Sequence, residues 1–143
     1  MKGKEKMKKT LSLVLAVLML FCIVSCNTAS KTGAWENATY RRDMEFGKGE
    51  TTVQVEVKAE EQSVTFTINT DKKTLGEALI EHGLISGEEG QFGLYVKLVN
   101  GIEADYDKDQ TYWALYKNGE YMMSGVDTTE IADGEHYELV KAK

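Results

Sequence analysis

The 143-residue chain contains no proline, two cysteines and two histidines. Without proline, nothing marks a stiff linker or a polyproline segment. Cys22 and Cys26 both lie near the N-terminus, so the remaining chain has no thiol and no internal disulfide. Its core has to hold by packing alone, even in an oxidising compartment. Zinc needs three or four ligands at compact spacing. His82 and His136 do not supply them: His82 reads as a partly buried side chain on an apolar helix face, and His136 as a strand residue.

A basic footprint is missing too. Five of the 17 basic residues and one of the 23 acidic ones fall within residues 1–25. From Cys26 onward 12 basic side chains therefore face 22 acidic ones, net −10. A nucleic-acid binder needs the opposite balance, and an anionic membrane surface repels this one. Catalytic arrangements are also lacking. Ser124 sits in "MSGVD" rather than at a G-x-S-x-G elbow. "GEEGQFG" lacks the Lys-Ser/Thr pair of a phosphate loop and opens no helix. The chain reads as a non-enzymatic protein.

What is present begins with a leader. "MKGKEKMKK" is a positively charged n-region and "LSLVLAVLMLFCIV" an apolar run too short for a comfortable membrane span. The run ends in "IVSC", which resembles the bacterial lipobox. That resemblance implies cleavage of a lipoprotein signal peptide, residues 1–25, and acylation of Cys26. Multiple acyl chains bury enough methylene groups for stable anchoring at the extracytoplasmic face of the cell membrane. An ordinary signal peptide cleaved nearby and an uncleaved anchor are the competing readings.

Residues 26–34 are small and polar, as a flexible tether is. Residues 35–50 carry Trp35, Tyr40 and Phe46 and read as an arm packing on the domain formed by residues 51–143. "TTVQVEV" and "SVTFTI" alternate, placing Val53, Val55 and Val57, then Val64, Phe66 and Ile68, on one buried face of a hairpin. The period then becomes helical over "TLGEALIEHGLI", about ten residues. Thr74 and Glu77 make a capping box, and Gly83 suits the C′ position with Leu84 as its apolar contact.

"SGEEGQFG" reads as a loop and "LYVKLV" as a strand with Leu94, Val96 and Leu98 on one side. Asn100-Gly101 is a type I′ turn candidate, and "EADYDKDQ" an acidic loop. Asp105, Asp107 and Asp109 have D-x-D-x-D spacing, but the glycine and glutamate of a calcium loop are replaced by Gln110 and Tyr116. A solvated loop is the favoured reading over a weak Ca²⁺ site. "TYWALYK" and "EYMM" flank Asn118-Gly119, and "HYELV" closes the chain after Asp133-Gly134. The order ββα then several short strands predicts an α+β fold: one helix on a mostly antiparallel sheet, similar to a β-grasp.

A two-residue turn at Asn118-Gly119 sets Lys117 opposite Glu120, Tyr116 opposite Tyr121 and Leu115 opposite Met122. One face then carries Trp113, Leu115 and Met122 and enters the core. The other carries Tyr112, Tyr116, Tyr121 and Met123 and needs a cover: the arm, another chain or a ligand.

From Thr74 onward, "TLGEAL", "GLYVKLVNGIEAD", "TYWALYKNG" and "SGVDTTEIADGEHYELV" together resemble the C-terminal β-domain of the transcobalamin and intrinsic factor family, in its bacterial surface-lipoprotein branch. The resemblance implies that a corrinoid, cobalamin or a similar planar molecule is the ligand. It carries ligand contacts onto Gly93, Leu94, Tyr95 and Val96, then Trp113, Ala114, Leu115 and the Met122 region. Much of that contact is backbone and apolar, which suits a large planar ligand. Two departures stand. Leu94 replaces the family proline, and the large helical domain that supplies half of the carriers' site has no counterpart in 143 residues. No D-x-H-x-x-G motif supports a cobalt-ligating histidine. The expected protein is a lipid-anchored, non-enzymatic ligand-binding module, needing no cofactor and sharing its ligand with a helical partner. The competing class is a surface module that binds protein or glycan on the same fold, and a structural spacer is the third.

Overall fold

A computed structural model describes residues 33–143 of the chain. The predicted leader, Cys26 and most of the predicted tether lie outside those residues. The described part is mixed α+β, mostly β, with one main helix and two sheets in place of the single sheet expected from the pattern.

The larger sheet has six strands. β1 (Met44–Gly47), β2 (Thr51–Ala59), β3 (Gln62–Thr70), β7 (Tyr112–Lys117), β8 (Glu120–Tyr121) and β9 (His136–Ala142) lie in the order β1-β3-β2-β9-β7-β8. It is a mixed sheet: β1 runs parallel to β3 and β9 parallel to β2, and the other three pairings are antiparallel. β2 and β3 pair in register from Thr51↔Thr70 to Ala59↔Gln62. Their alternation therefore stacks Val53, Val55 and Val57 beside Val64, Phe66 and Ile68 on the buried face. Tyr137 and Leu139 of β9 and Leu115 of β7 continue that face.

α1 (Leu75–Glu81) covers it. Thr74 and Glu77 form the capping box. At the other end Leu84 N–H reaches Leu79 O (3.0 Å) and Gly83 N–H reaches Ile80 O (2.9 Å), the paired bonds of a Schellman cap. Gly83 holds φ +64°, which glycine adopts without a side-chain clash. The helix is seven residues long, shorter than its sequence pattern, because His82 is already the C-cap.

The smaller sheet is β4 (Ile85–Gly90), β5 (Gly93–Val99) and β6 (Ile102–Glu103). β4 corrects the loop expected over "SGEEGQFG". Five of its six residues are exposed, so no apolar alternation betrays it. Ser86 pairs with Leu98 and Gly87 with Val96, making Lys97 the extra residue of a bulge. A bulge reverses the facing of the residues after it. Leu94 and Val96 pack on the core, but beyond Lys97 it is Val99 that turns in and Leu98 that turns out. Gly87 is required there, since a Cβ would stand 1.9 Å from Tyr95 O.

The acidic stretch also holds more structure than a loop. Asp105 caps the single-turn α2 (Tyr106–Asp109) by accepting from Asp107 N–H (3.0 Å), and Asp109 accepts from Thr111 N–H (3.1 Å). The Asp105 carboxylate faces Lys97 (3.6 Å) and Lys108 (3.8 Å). No group of three or more His, Cys, Asp or Glu side chains among the described residues is placed to hold a metal ion.

The arm inserts where the helix and the two sheets meet. Trp35, in a single 3₁₀ turn (Gly33–Asn37), is buried and donates from its indole to Ala59 O (2.8 Å). Tyr40, Phe46 and Phe66 pack edge to face, with centroids 5.3–5.9 Å apart, and His82 stacks on Phe46. Asn100 fastens this segment. Its side chain accepts from Tyr40 N–H (2.8 Å) and donates to Tyr40 O (2.7 Å), and its carbonyl accepts from Thr39 N–H (2.8 Å).

Two outcomes check this account. Asn100→Gly keeps the left-handed backbone and removes only the side-chain clamp. It should cost about 2–4 kcal/mol in urea unfolding, with faster amide exchange across residues 38–47; an unchanged midpoint would refute the clamp. The second concerns Glu135, which accepts from Lys117 Nζ, from the Tyr137 hydroxyl and from Ala132 N–H. Burial alone would raise its pKa, but the bonds from Lys117 and Tyr137 outweigh it and hold the carboxyl below its ordinary value. A lowered folded pKa stabilises above the unfolded pKa and is lost as pH falls through the folded one. Thermal midpoints measured from pH 7 to 3 should therefore fall less steeply in Glu135→Gln than in the natural chain.

Candidate functional site

β5 leans against β7, and the two sheets leave a cleft of about 270 Å³ between them. Three separate stretches build it. β5 contributes Leu94, Tyr95 and Val96; β7 contributes Trp113 and Leu115; the chain leaving β8 contributes Met122. Six of the eight ligand-contact positions inferred from the sequence thus come together. The other two are placed differently. Ala114 lies on the opposite face of β7 from Leu115 and is buried, 2% exposed. Gly93 stands behind the cleft at φ +100°, where a Cβ would lie 2.2 Å from Asp127 Oδ2.

Asp127 explains that glycine. Its Oδ2 accepts from Leu94 N–H (3.1 Å), fixing the start of β5 to the loop between β8 and β9. The loop is itself tied to the helix start, through Gly76 N–H to Val126 O (2.8 Å) and Leu75 N–H to Thr129 O (2.9 Å). The cleft is therefore held by the N-terminal end of α1 as well as by both sheets. Trp113 Nε1 in the cleft and Asp127 Oδ1 behind it are buried with no hydrogen-bond partner among the described residues.

The hairpin register is the one read from its Asn-Gly turn, with Lys117 opposite Glu120 and Tyr116 opposite Tyr121. β8 ends at Tyr121, but Met122 N–H still bonds Leu115 O (2.9 Å), which turns Met122 toward the core side. Tyr116 and Tyr121 pack edge to face on the outer side. The arm does not cover them: it pairs at β3, and β1 and β8 are the two opposite edges of the sheet.

Three further residues stand at the mouth of the cleft: Phe92, which sequence reasoning left out, and Tyr121 and Met123, which it had put on the opposite face of the hairpin from Trp113, Leu115 and Met122. Phe92, at the tip of the β4–β5 hairpin, is 90% exposed, and Met123 is 93% exposed. Tyr121 joins them at 55%. The signal for Phe92 was one large apolar residue alone in a glycine- and glutamate-rich stretch. Asp127 carried no signal, because it acts through a backbone amide 33 positions away.

A crystal structure of "a putative metal binding protein from Ruminococcus gnavus ATCC 29149" superposes with a TM-score of 0.62 at 35% identity, covering 66% of this chain and 98% of that one. Residues 72–137 match the family model described as "Domain of unknown function (DUF4430)". The chain carries a DUF4430 domain. At that identity and coverage it and the Ruminococcus gnavus protein belong to one family. The domain match runs from just before α1 to the start of β9 and takes in every cleft residue named above. Haptocorrin, in complex with Cbi, superposes with a TM-score of 0.56 at 20% identity, over 68% of this chain and 26% of that one. At 20% identity the likeness is one of fold. No curated protein matches the chain.

Proposed function

We propose that the protein is a membrane-anchored, extracytoplasmic lipoprotein whose DUF4430 domain is a non-enzymatic ligand-binding module, with the cleft between β5 and β7 as its site. The convergence of Leu94–Val96, Trp113, Leu115 and Met122 on one cleft carries this reading. Most of the side chains that line it are apolar or aromatic, and polar atoms are exposed between them, a mixture that can hold the apolar faces and polar edges of a large planar molecule. Haptocorrin shares the fold and is described with Cbi bound, which makes a corrinoid the first ligand to try. The Ruminococcus gnavus relative is described as metal binding, and a metal-containing ligand fits both descriptions.

A cleft of this size buries only part of a macrocycle. The exposed Phe92, Tyr121 and Met123 at its mouth are placed to meet a second surface, in keeping with a ligand shared with a partner protein. The same three side chains favour one alternative: a protein partner seated on the rim with no small ligand between. The membrane anchor rests on Cys26 and its lipobox-like setting alone.

Both parts are open to test. Cobalamin and cobinamide should quench the tryptophan fluorescence saturably, and Trp113→Ala should weaken the binding that the remaining Trp35 still reports. Met122→Ala should weaken binding about tenfold, or about 1.4 kcal/mol. No quenching at high micromolar ligand would leave the protein-partner reading ahead. Separately, Cys26→Ala should move the protein from the membrane fraction to the medium; unaltered processing and membrane retention would dispose of the lipid anchor.

A further inference from the structure

Tyr95 and Tyr112 border more than the cleft. They also line a second, wider hollow of about 600 Å³, together with Tyr106 of α2. Neither the sequence resemblance nor the neighbouring cleft accounts for it. Its three tyrosines come from three elements, β5, α2 and β7, and two of them are well exposed: Tyr95 at 41% and Tyr106 at 57%.

The polar groups between them decide what it can hold. Lys97 is the one cation in the lining, and it is already engaged, with Glu88 at 3.0 Å and Asp105 at 3.6 Å. Lys108, on the neighbouring helix, is likewise held by Glu103 at 3.0 Å. The lining therefore has no cation to spare for an anion, and with Glu88, Asp105 and Asp107 against Lys97 it carries net negative charge. At Tyr95 the place of a ligand cation is already taken. Lys97 Nζ stands 6.0 Å from the Tyr95 ring centroid, at the distance a bound ammonium would take. What the hollow does offer is aromatic faces, phenol hydroxyls and carboxylate oxygens that accept hydrogen bonds.

We propose that this hollow is a binding site for a neutral, hydroxyl-rich ring, the pyranose unit of a glycan. The C–H-bearing face of such a ring lies on Tyr106 and Tyr112, since the face of an aromatic ring is its electronegative part. Its hydroxyls donate to Asp107 and Glu88, bonds strengthened by the carboxylate charge. A shallow, solvent-open hollow suits one or two units of a chain that continues outward on both sides. The proposal is independent of the ligand in the cleft: it rests on different side chains, apart from the two shared tyrosines, and is read by a different assay.

The test is native affinity electrophoresis of the full-length protein in a polyoxyethylene detergent, which brings no sugar of its own. Gels contain hydroxyethylcellulose, galactomannan or laminarin, with bovine serum albumin as the mobility reference. Retardation is expected in at least one gel, and Tyr106→Ala should restore the sugar-free mobility. Tyr106 is more than half exposed, so the thermal midpoint of that variant serves as the control for folding. Asp107→Asn, which keeps the side-chain volume and removes the charge, should reduce the retardation without abolishing it. The proposal fails if no gel retards the natural chain, or if retardation survives Tyr106→Ala. It also fails if millimolar tetramethylammonium chloride abolishes the retardation where sodium chloride does not, which would mark the hollow as a cation site.

Discussion

Asn100 is the point through which the parts of the domain are joined. It holds φ +52° and is 1% exposed, in a conformation that asparagine tolerates better than most residues. Its backbone N–H bonds Leu84 O at the exit of α1, its carbonyl takes Thr39 N–H, and its side-chain amide pairs with both backbone polar groups of Tyr40. One side chain in the turn between β5 and β6 thereby satisfies an arm that would otherwise bury unpaired backbone groups, a large cost in a dry interior. Gly101 completes the arrangement, since a Cβ there would stand 2.6 Å from Asn37 O. The small sheet takes its position from this knot, and the cleft exists because the small sheet stands where it does.

The molecule divides its surface unevenly. Along β2, β3 and β9 the outer face of the large sheet is polar and laced with ion pairs, Lys58 with Glu56 and Glu138 among them. Toward β7 and β8 it turns aromatic. The large exposed apolar side chains at the cleft mouth sit at a hairpin tip (Phe92), at the end of β8 (Tyr121) and just after it (Met123). Isolated exposed apolar residues are ordinary, but several at one opening form the kind of patch that commonly marks an interaction site.

Much of the scaffold was legible in the amino-acid order. The β2–β3 alternation, both caps of α1 and the Tyr116/Tyr121 register each rest on local rules, a period or a turn, and each appears in the structure. The misses share a cause. β4 is a strand by virtue of its partner, with Glu and Gly at most positions, and a pattern of side chains cannot reveal pairing made by backbone alone. The bulge at Lys97 inverted Leu98 and Val99 for the same reason. In the cleft, the stretches on β5 and β7 were found through the motifs they carry. The orphaned polar atoms, the Asp127 bond to Leu94 and the second hollow are products of folding, because residues far apart in the chain meet only there.

The place of β9 has a consequence for how the chain reaches this state. This late strand lies in the middle of the large sheet, parallel to β2 and antiparallel to β7, with Gln54 opposite His136. Until residues 136–142 arrive, the β1–β3–β2 unit and the β7–β8 hairpin are separate, each with an exposed inner edge, and the two-stranded hairpin is marginal alone. The large sheet is therefore completed only when β9 has been made. Long-range closure of this kind is slow. With no proline, and no cysteine beyond Cys26, the domain has no isomerisation or disulfide exchange to wait for on the way.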